Sequence, residues 1–591
     1  MYARRIRIIT LFTALTSISL SIPAQDVRQP QPAPLPPPIA APEDKPYPGV
    51  LDLLVDATDV QHRIVNVRET IPVQGSSELT LLYPEWIPGN HSPTGPISKV
   101  AGLITSVDGK RVQWVRDRVN VYAFHIPLIA GAQSVQVEFQ FLAPEKAAEG
   151  RISISNKIAD LQWNTELLYP AGYFSRGIQF APTLKLPTGW QFASALEVES
   201  KSADSVRFKS VPLNTLIDSP VYAGTNYKRV DLSTGPDNQV FLDLFGDTPE
   251  SIVMTPEQIK LHRTLAEQAQ KLFHSHHYNH YDFLFLLSDV VGGIGLEHHQ
   301  SSEDGTRANY FTDWAANVAN RDLLGHEYTH SWNGKFRRAA DLWTPNFNVP
   351  MQDDLLWVYE GMTQYLGYVL TARSGLRTPD QTRDLIAGVA ANFEHSPGRE
   401  WRPLVDTTNQ PTVSQRRPVS WVSWQRPEDY YTEGMLIWLD ADTKIRELSQ
   451  DKKSLDDFAQ LFFGIDNGSF VTQTYTLHDL IAALNKVQPY DWEGFLKERV
   501  YEVEPEAPEN GIKQGGYRLT YTETQPEWQR RGERPEAGEN LGASIGFTVR
   551  SNGELVNVWW NSPSFKAGIT PDMQITAVNG TAFKADVLKT A

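Results

Sequence analysis

The sequence predicts a multidomain protein, with a β-sandwich-like domain at the N-terminal end, an α+β domain in the middle and a small β-rich domain at the C-terminal end. Three observations carry this. At 591 residues the chain exceeds what one hydrophobic core holds. Its texture changes from short Val/Ile/Thr-rich runs before about residue 238 to helical periodicity up to about residue 500, then back to short apolar runs. A hydrophobic fraction of 41% with 16 Trp, 22 Tyr and 25 Phe supplies several packed interiors and excludes a disordered chain.

The elements follow in chain order. In residues 1–24 a basic start (Arg4, Arg5, Arg7) precedes an apolar stretch from Ile8 to Ile22 and then Pro23-Ala24, the build of a secretory signal cleaved after Ala24. The apolar stretch is shorter than the ~20 residues a spanning helix needs, so no stable membrane insertion is expected after cleavage. Residues 25–48 are dense in proline and read as an extended tether. Residues 49–238 alternate runs such as "LDLLVDATDV", "VQVEFQFLAP" and "RISISN" with Gly, Pro and Asn, which predicts the sandwich.

In residues 239–500, "TPEQIKLHRTLAEQAQKLFH" reads as a Thr-capped helix, "YDFLFLLSDV" and "ANYFTDW" as strands, and 316–338, 352–374 and 433–449 as helices. Residues 501–591 return to β character with "ASIGFTVR" and "GELVNVWW".

Composition narrows the function. A net charge of −16 without clustered Lys and Arg argues against nucleic-acid binding. Cysteine is absent, so an exported chain stands on packing alone, carries no lipid-attachment cysteine, and must build any metal site from His, Asp or Glu. A periplasmic or secreted bacterial protein fits these features.

One stretch concentrates chemistry: "DLLGHEYTHSWNGKF", residues 322–336. On a helix, His326 and His330 share a face and can offer two imidazoles to one ion. Glu327, displaced by about 100° around the axis, is no ligand of the same kind but can reach a water held there. A solvated polar helix is the bland alternative. Against it stands "LLWVYEGMTQYLGYVL", an apolar helical segment whose conspicuous charge is Glu360. A lone buried carboxylate costs several kcal/mol unless it is paired or bound to metal, so Glu360 is the expected third ligand of a zinc ion. The histidines of "HSHHYNH" follow a helix, whose C-terminal end favours partly cationic side chains, and need no metal.

"HEYTHSWNGKF" followed by "WVYEGMTQY" resembles the gluzincin zinc metallopeptidases, and the longer spacing to the glutamate resembles the glycyl aminopeptidase family among them. "EWIPGNHS", "LIDSPVYAG" and "GGIGLEHHQSS" agree with that family. The resemblance implies a thermolysin-like catalytic domain at 239–500 and one zinc per chain, held by His326, His330 and Glu360. It makes Glu327 the general base, places Glu297 on the substrate's free α-amine, and puts Tyr431 on the oxyanion, with Tyr430 as the fallback. It implies peptide or protein substrates with a free N-terminus, Gly or Ala preferred. His298 and His299, adjacent on a strand, point to opposite faces, so at most one could face the site.

"SPSFKAGITPDMQITAVNG" (562–580) resembles the PDZ pattern, with Pro571 where glycine is usual before Asp572. The chain stops at Ala591 inside the second helix of that pattern, so the PDZ-like domain is expected to be incomplete, and a peptide ligand for it is a further candidate partner. Two alternatives to the aminopeptidase stay open: an endopeptidase of the same fold, and a non-catalytic binding or chaperone protein whose metal is structural.

Overall fold

The computed structural model describes residues 30–75, 77–526 and 538–591. The signal segment expected at 1–24 lies outside them. The chain divides into two units, Met1–Pro38 and Ile39–Ala591; the described part of the first, residues 30–38, has no regular secondary structure. All that follows concerns the second. There the proline-rich segment joins the fold earlier than expected of a tether. Glu43 bridges to Tyr173, and Tyr47 is buried with its hydroxyl donating to the Pro72 carbonyl at 2.7 Å.

The N-terminal domain is β-rich. Its nine-stranded sheet centres on Val50–Asp59, paired antiparallel with Ile64–Pro72 and parallel with Gln179–Lys185. Alternate residues (Leu51, Leu53, Val55, Ala57) are buried, as are Val135, Val137, Phe139 and Phe141 on the strand Ser134–Leu142, so one face of the sheet supplies the core. The expected strand "RISISN" is a correction: it forms only a single bridge, Ile154 to Ala159. Its Arg151 instead pairs with buried Asp160 and donates to the Gly292 carbonyl at 3.1 Å.

The central domain is a mixed five-stranded sheet with helices. Gln239–Gly246, His280–Leu287 and Ser301–Thr306 run parallel, and the edge strands Tyr227–Asp231 and Ile294–Glu297 run antiparallel to their neighbours. The helix Pro256–Phe273 starts at the expected cap, where Thr255 and Gln258 form a capping box.

Two expectations fail. "ANYFTDW" is not a strand but a run of turns entering a 3₁₀ segment, Trp314–Asn320; Tyr310 and Phe311 pack against Phe285, and the Phe311 carbonyl accepts from Gln258 Nε2 at 2.9 Å. The helix expected over 316–338 is only Leu323–Thr329, because the chain turns at Asn333-Gly334, with φ +124° at Gly334, into the strand Arg337–Ala339. The other two helices form as Leu356–Ser374 and Asp429–Ser449, the latter starting four residues early and so including both tyrosines.

The C-terminal segment has short strands at Phe547–Val549 and Leu555–Val558 and helices at Pro563–Lys566 and Ala585–Thr590. It docks through Trp560, stacked on Trp424 at 5.1 Å, and Phe565, edge-on to Trp421 at 5.3 Å. Among the described residues no helix is long and apolar enough to cross a membrane.

Candidate metal centre

The short histidine helix, Leu323–Thr329, is held by its apolar face. Leu324 and Tyr328, four apart, are buried, and the Tyr328 ring lies 4.6 Å from Tyr281 and 5.1 Å from Phe283 on the sheet. The opposite face carries His326 and, at the helix end with helical backbone, His330. The Nδ1–H of His330 donates to the Asn333 carbonyl at 2.9 Å, which leaves the Nε2 lone pair free. Asn333 in turn donates to the carbonyls of Val358 and Tyr359 at 2.9 and 3.2 Å, tying the turn after the histidines to the glutamate helix Leu356–Ser374.

Glu360 projects from that helix into the same point, 2% exposed. Its Oε2 lies 3.4 Å from His326 Nε2 and 3.2 Å from His330 Nε2, which are 3.1 Å from each other. Oε2 is buried and has no hydrogen-bond partner. The ligand atom of Glu327 lies within 4.8 Å of those of His326 and His330, and that of Glu297 within 4.8 Å of those of Glu360 and His91, so carboxylates and imidazoles crowd a point that a dication would stabilise. Zinc ligands at 2.0–2.1 Å in a tetrahedron stand roughly 3.3 Å apart, so the three donor atoms fit the ion.

Electrostatics separate the carboxylates. Burial works to raise Glu360, but His330, His326 and His91 hold it well below the usual range. Burial and the carboxylates of Glu297, Asp304 and Glu360 push Glu327 well above it. Glu297, on the edge strand, is buried yet held low by His330 and Lys335, and accepts a hydrogen bond from the Tyr359 hydroxyl.

Tyr431 lines a cavity of about 470 Å³ together with His326, Glu327 and Gly295, with its ring 6.2 Å from that of His326. Tyr430, the fallback, is fully buried and its hydroxyl has no partner. His298 turns away to Asp218 and Glu303, and the Nε2 of His299 is buried without a partner. The "HSHHYNH" histidines stay out of every candidate metal group among the described residues; His274 is a left-handed helix cap and His277 stacks on Phe336.

Sequence reasoning missed His91, Tyr359 and Arg416. The Nε2 of His91, in "EWIPGNHS", is 2.7 Å from Glu360 Oε1. Arg416 donates to the Asn90 carbonyl and to Glu428 Oε1, both at 3.0 Å, joining the His91 loop to the start of the tyrosine helix. The one sequence signal was Gly89, whose φ of +82° marks a tight turn two residues before His91.

The cluster of His326, His330 and Glu360 with buried Glu327 beside it, on an α+β core joined to a β domain, is the kind of site that defines a zinc metallopeptidase. Residues 52–225 match the Peptidase M61 N-terminal domain and residues 319–437 match M61 glycyl aminopeptidase. The chain carries the N-terminal and catalytic domains of that glycyl aminopeptidase family. In fold it is similar to an aminopeptidase N family protein from Idiomarina loihiensis, with a TM-score of 0.75 at 18% identity over 92% of this chain and 91% of that one. A mutant M1 zinc metallopeptidase from Deinococcus radiodurans, bound to a Tyr-Ser-Ala substrate, aligns with a TM-score of 0.49 at 14% identity over 79% of this chain and 96% of that one. No curated protein matches the sequence.

Proposed function

We propose that the protein is a zinc aminopeptidase that removes N-terminal residues, Gly and Ala preferred, from peptides or proteins. The observation that carries this is the orphaned Glu360 Oε2, 3.2 and 3.4 Å from two imidazole nitrogens, with Glu327 on the next helical position. His326, His330 and Glu360 would hold the metal. When bound, zinc supplies Lewis acidity that polarises a carbonyl and makes a water acidic near neutral pH.

The chain's own groups do the rest. Glu327 takes a proton from the attacking water and delivers it to the departing amine nitrogen. The Tyr431 hydroxyl donates to the carbonyl oxygen as it gains negative charge. Glu297 pairs with the substrate ammonium and so sets the register at the first residue. Its ligand atom lies within 4.8 Å of those of Glu360 and His91, which supports an exopeptidase over an endopeptidase. A purely structural metal has no use for a buried Glu327, which speaks against a binding or chaperone protein.

Export to the periplasm or medium, and a PDZ-like module after residue 501, complete the proposal. The order of strands and helices between Phe547 and Thr590 supports the module.

The test compares glycyl and alanyl arylamides, free and N-acetylated, with zinc content measured in parallel. Glu327→Gln should keep its zinc and lose turnover by at least about 10²-fold. Glu297→Ala should keep its zinc and lose discrimination for the free amine. Wild-type turnover by Glu327→Gln would remove the assignment.

A further inference from the structure

We propose that His91, delivered by the N-terminal β domain, is a positioning residue for the metal ligand Glu360, so that the metal centre is assembled across two domains. This rests on the zinc reading above. His91 is 0% exposed, and its Nε2 stands 2.7 Å from Glu360 Oε1. An ionised carboxylate only accepts, so Nε2–H is the donor. Oε1 is then occupied, and Oε2 alone faces the two imidazoles.

The histidine is itself fixed. Its ring meets Tyr359 edge-on at 5.0 Å, and Tyr359, which donates to Glu297, lies 4.9 Å from the His330 ring. The loop is pinned through Asn90 by Arg416, which also holds Glu428 three residues before Tyr431. Gly89, two residues upstream, must remain glycine, because its φ is +82° and a Cβ there would stand 2.4 Å from Leu296 Cδ1 and 2.7 Å from Glu297 Oε2. One short loop therefore touches the metal ligand and the amine-binding carboxylate, and reaches the tyrosine segment through Arg416.

A rival exists. His91, Glu297 and Glu360 form a buried group with ligand atoms within 4.8 Å of one another, which could suit a second cation bridged by Glu360. The distances decide between them. Two ligands of one tetrahedral zinc stand roughly 3.3 Å apart, as His326, His330 and Glu360 do. The 2.7 Å between His91 and Glu360 is too short for that and is the length of a charge-assisted N–H···O bond.

Zinc affinity and stoichiometry of the full chain test this, by competition with a chromogenic chelator and by elemental analysis. Wild type should bind one zinc per chain. His91→Ala should also bind one, with a dissociation constant about 10- to 100-fold higher, the usual effect of removing such a support. His91→Gln, whose amide still donates, should stay within about threefold of wild type. Equal affinity in His91→Ala and wild type overturns the role, as does a second zinc in wild type that His91→Ala loses. A wild-type chain that binds no zinc overturns the metal reading itself, and this inference with it.

Discussion

A Cβ built on Gly295 would stand 2.4 Å from Glu327 Oε1 and 2.9 Å from Leu323 Cδ1, so the bare Cα of this edge-strand residue gives the carboxylate its room beside the histidines. The atom it meets is the free end of a side chain, which moves at little cost to folding. Gly295→Ala should therefore leave the urea midpoint and zinc content near wild type and lower kcat by about 10²-fold, since a ~1 Å displacement of a catalytic group costs that much. An unchanged kcat would mean that Glu327 is not required where it stands. At this scale the spacing of His326, Glu327 and His330, and the lone charge of Glu360 on an apolar helix, were legible because helix geometry is local. His91 was not, because 269 residues separate it from Glu360 and no periodicity joins a loop to a helix across that distance.

Between elements, the glutamate and tyrosine helices cross at Gly361 and Gly434. A Cβ on Gly361 would come within 2.7 Å of the Tyr430 carbonyl oxygen and 2.8 Å of Gly434 Cα. These are backbone atoms and cannot rotate aside, so Gly361→Ala must push the helices apart. The expected cost is about 1–3 kcal/mol in denaturant unfolding. Because Glu360 and Tyr430 flank the crossing, zinc content and kcat should fall as well; a variant of wild-type stability would show that the crossing has slack. The Leu356–Ser374 helix was readable from its apolar run, and Pro256–Phe273 from its Thr255 cap. The strand Ser301–Thr306 was not, since its buried residues are Ser301, Ser302, Glu303 and Asp304, a polar set that imitates a loop. "ANYFTDW" erred the other way: aromatic residues suit strands and core turns equally, and only the packing of Tyr310 and Phe311 against Phe285 separates the two.

Across the whole molecule, the β domain is fastened to the catalytic strand by a buried polar network. His298 lies between Asp218 Oδ1 at 3.2 Å and Glu303 Oε2 at 2.9 Å, Lys335 reaches Asp218 at 2.8 Å, and Gln162 donates to Glu303 at 3.0 Å. Burial alone would lower the pKa of His298, but Asp218 and Glu303 outweigh it and raise it to about 9. The unfolded chain releases this proton near pH 6.5 and the folded one near pH 9, so the folded state binds more protons between them and stability falls as pH rises. The contribution is complete below pH ~6.5 and gone above pH ~9, and is on the order of 3 kcal/mol. Asp304, raised to about 8 chiefly by burial, titrates in the same window, and the imidazolium of His298 works to lower it. Urea unfolding of wild type and His298→Gln at pH 6 and pH 9.5 separates the two groups. Wild type should lose more than the variant across that interval, because only wild type gives up the imidazolium that joins the two carboxylates, and by less than the full His298 contribution, because Glu303 and Asp304 are no longer held down in the variant. Equal losses would mean that the domains are held by apolar packing, the Lys335–Asp218 ion pair and the Gln162–Glu303 hydrogen bond, with no share carried by the proton on His298.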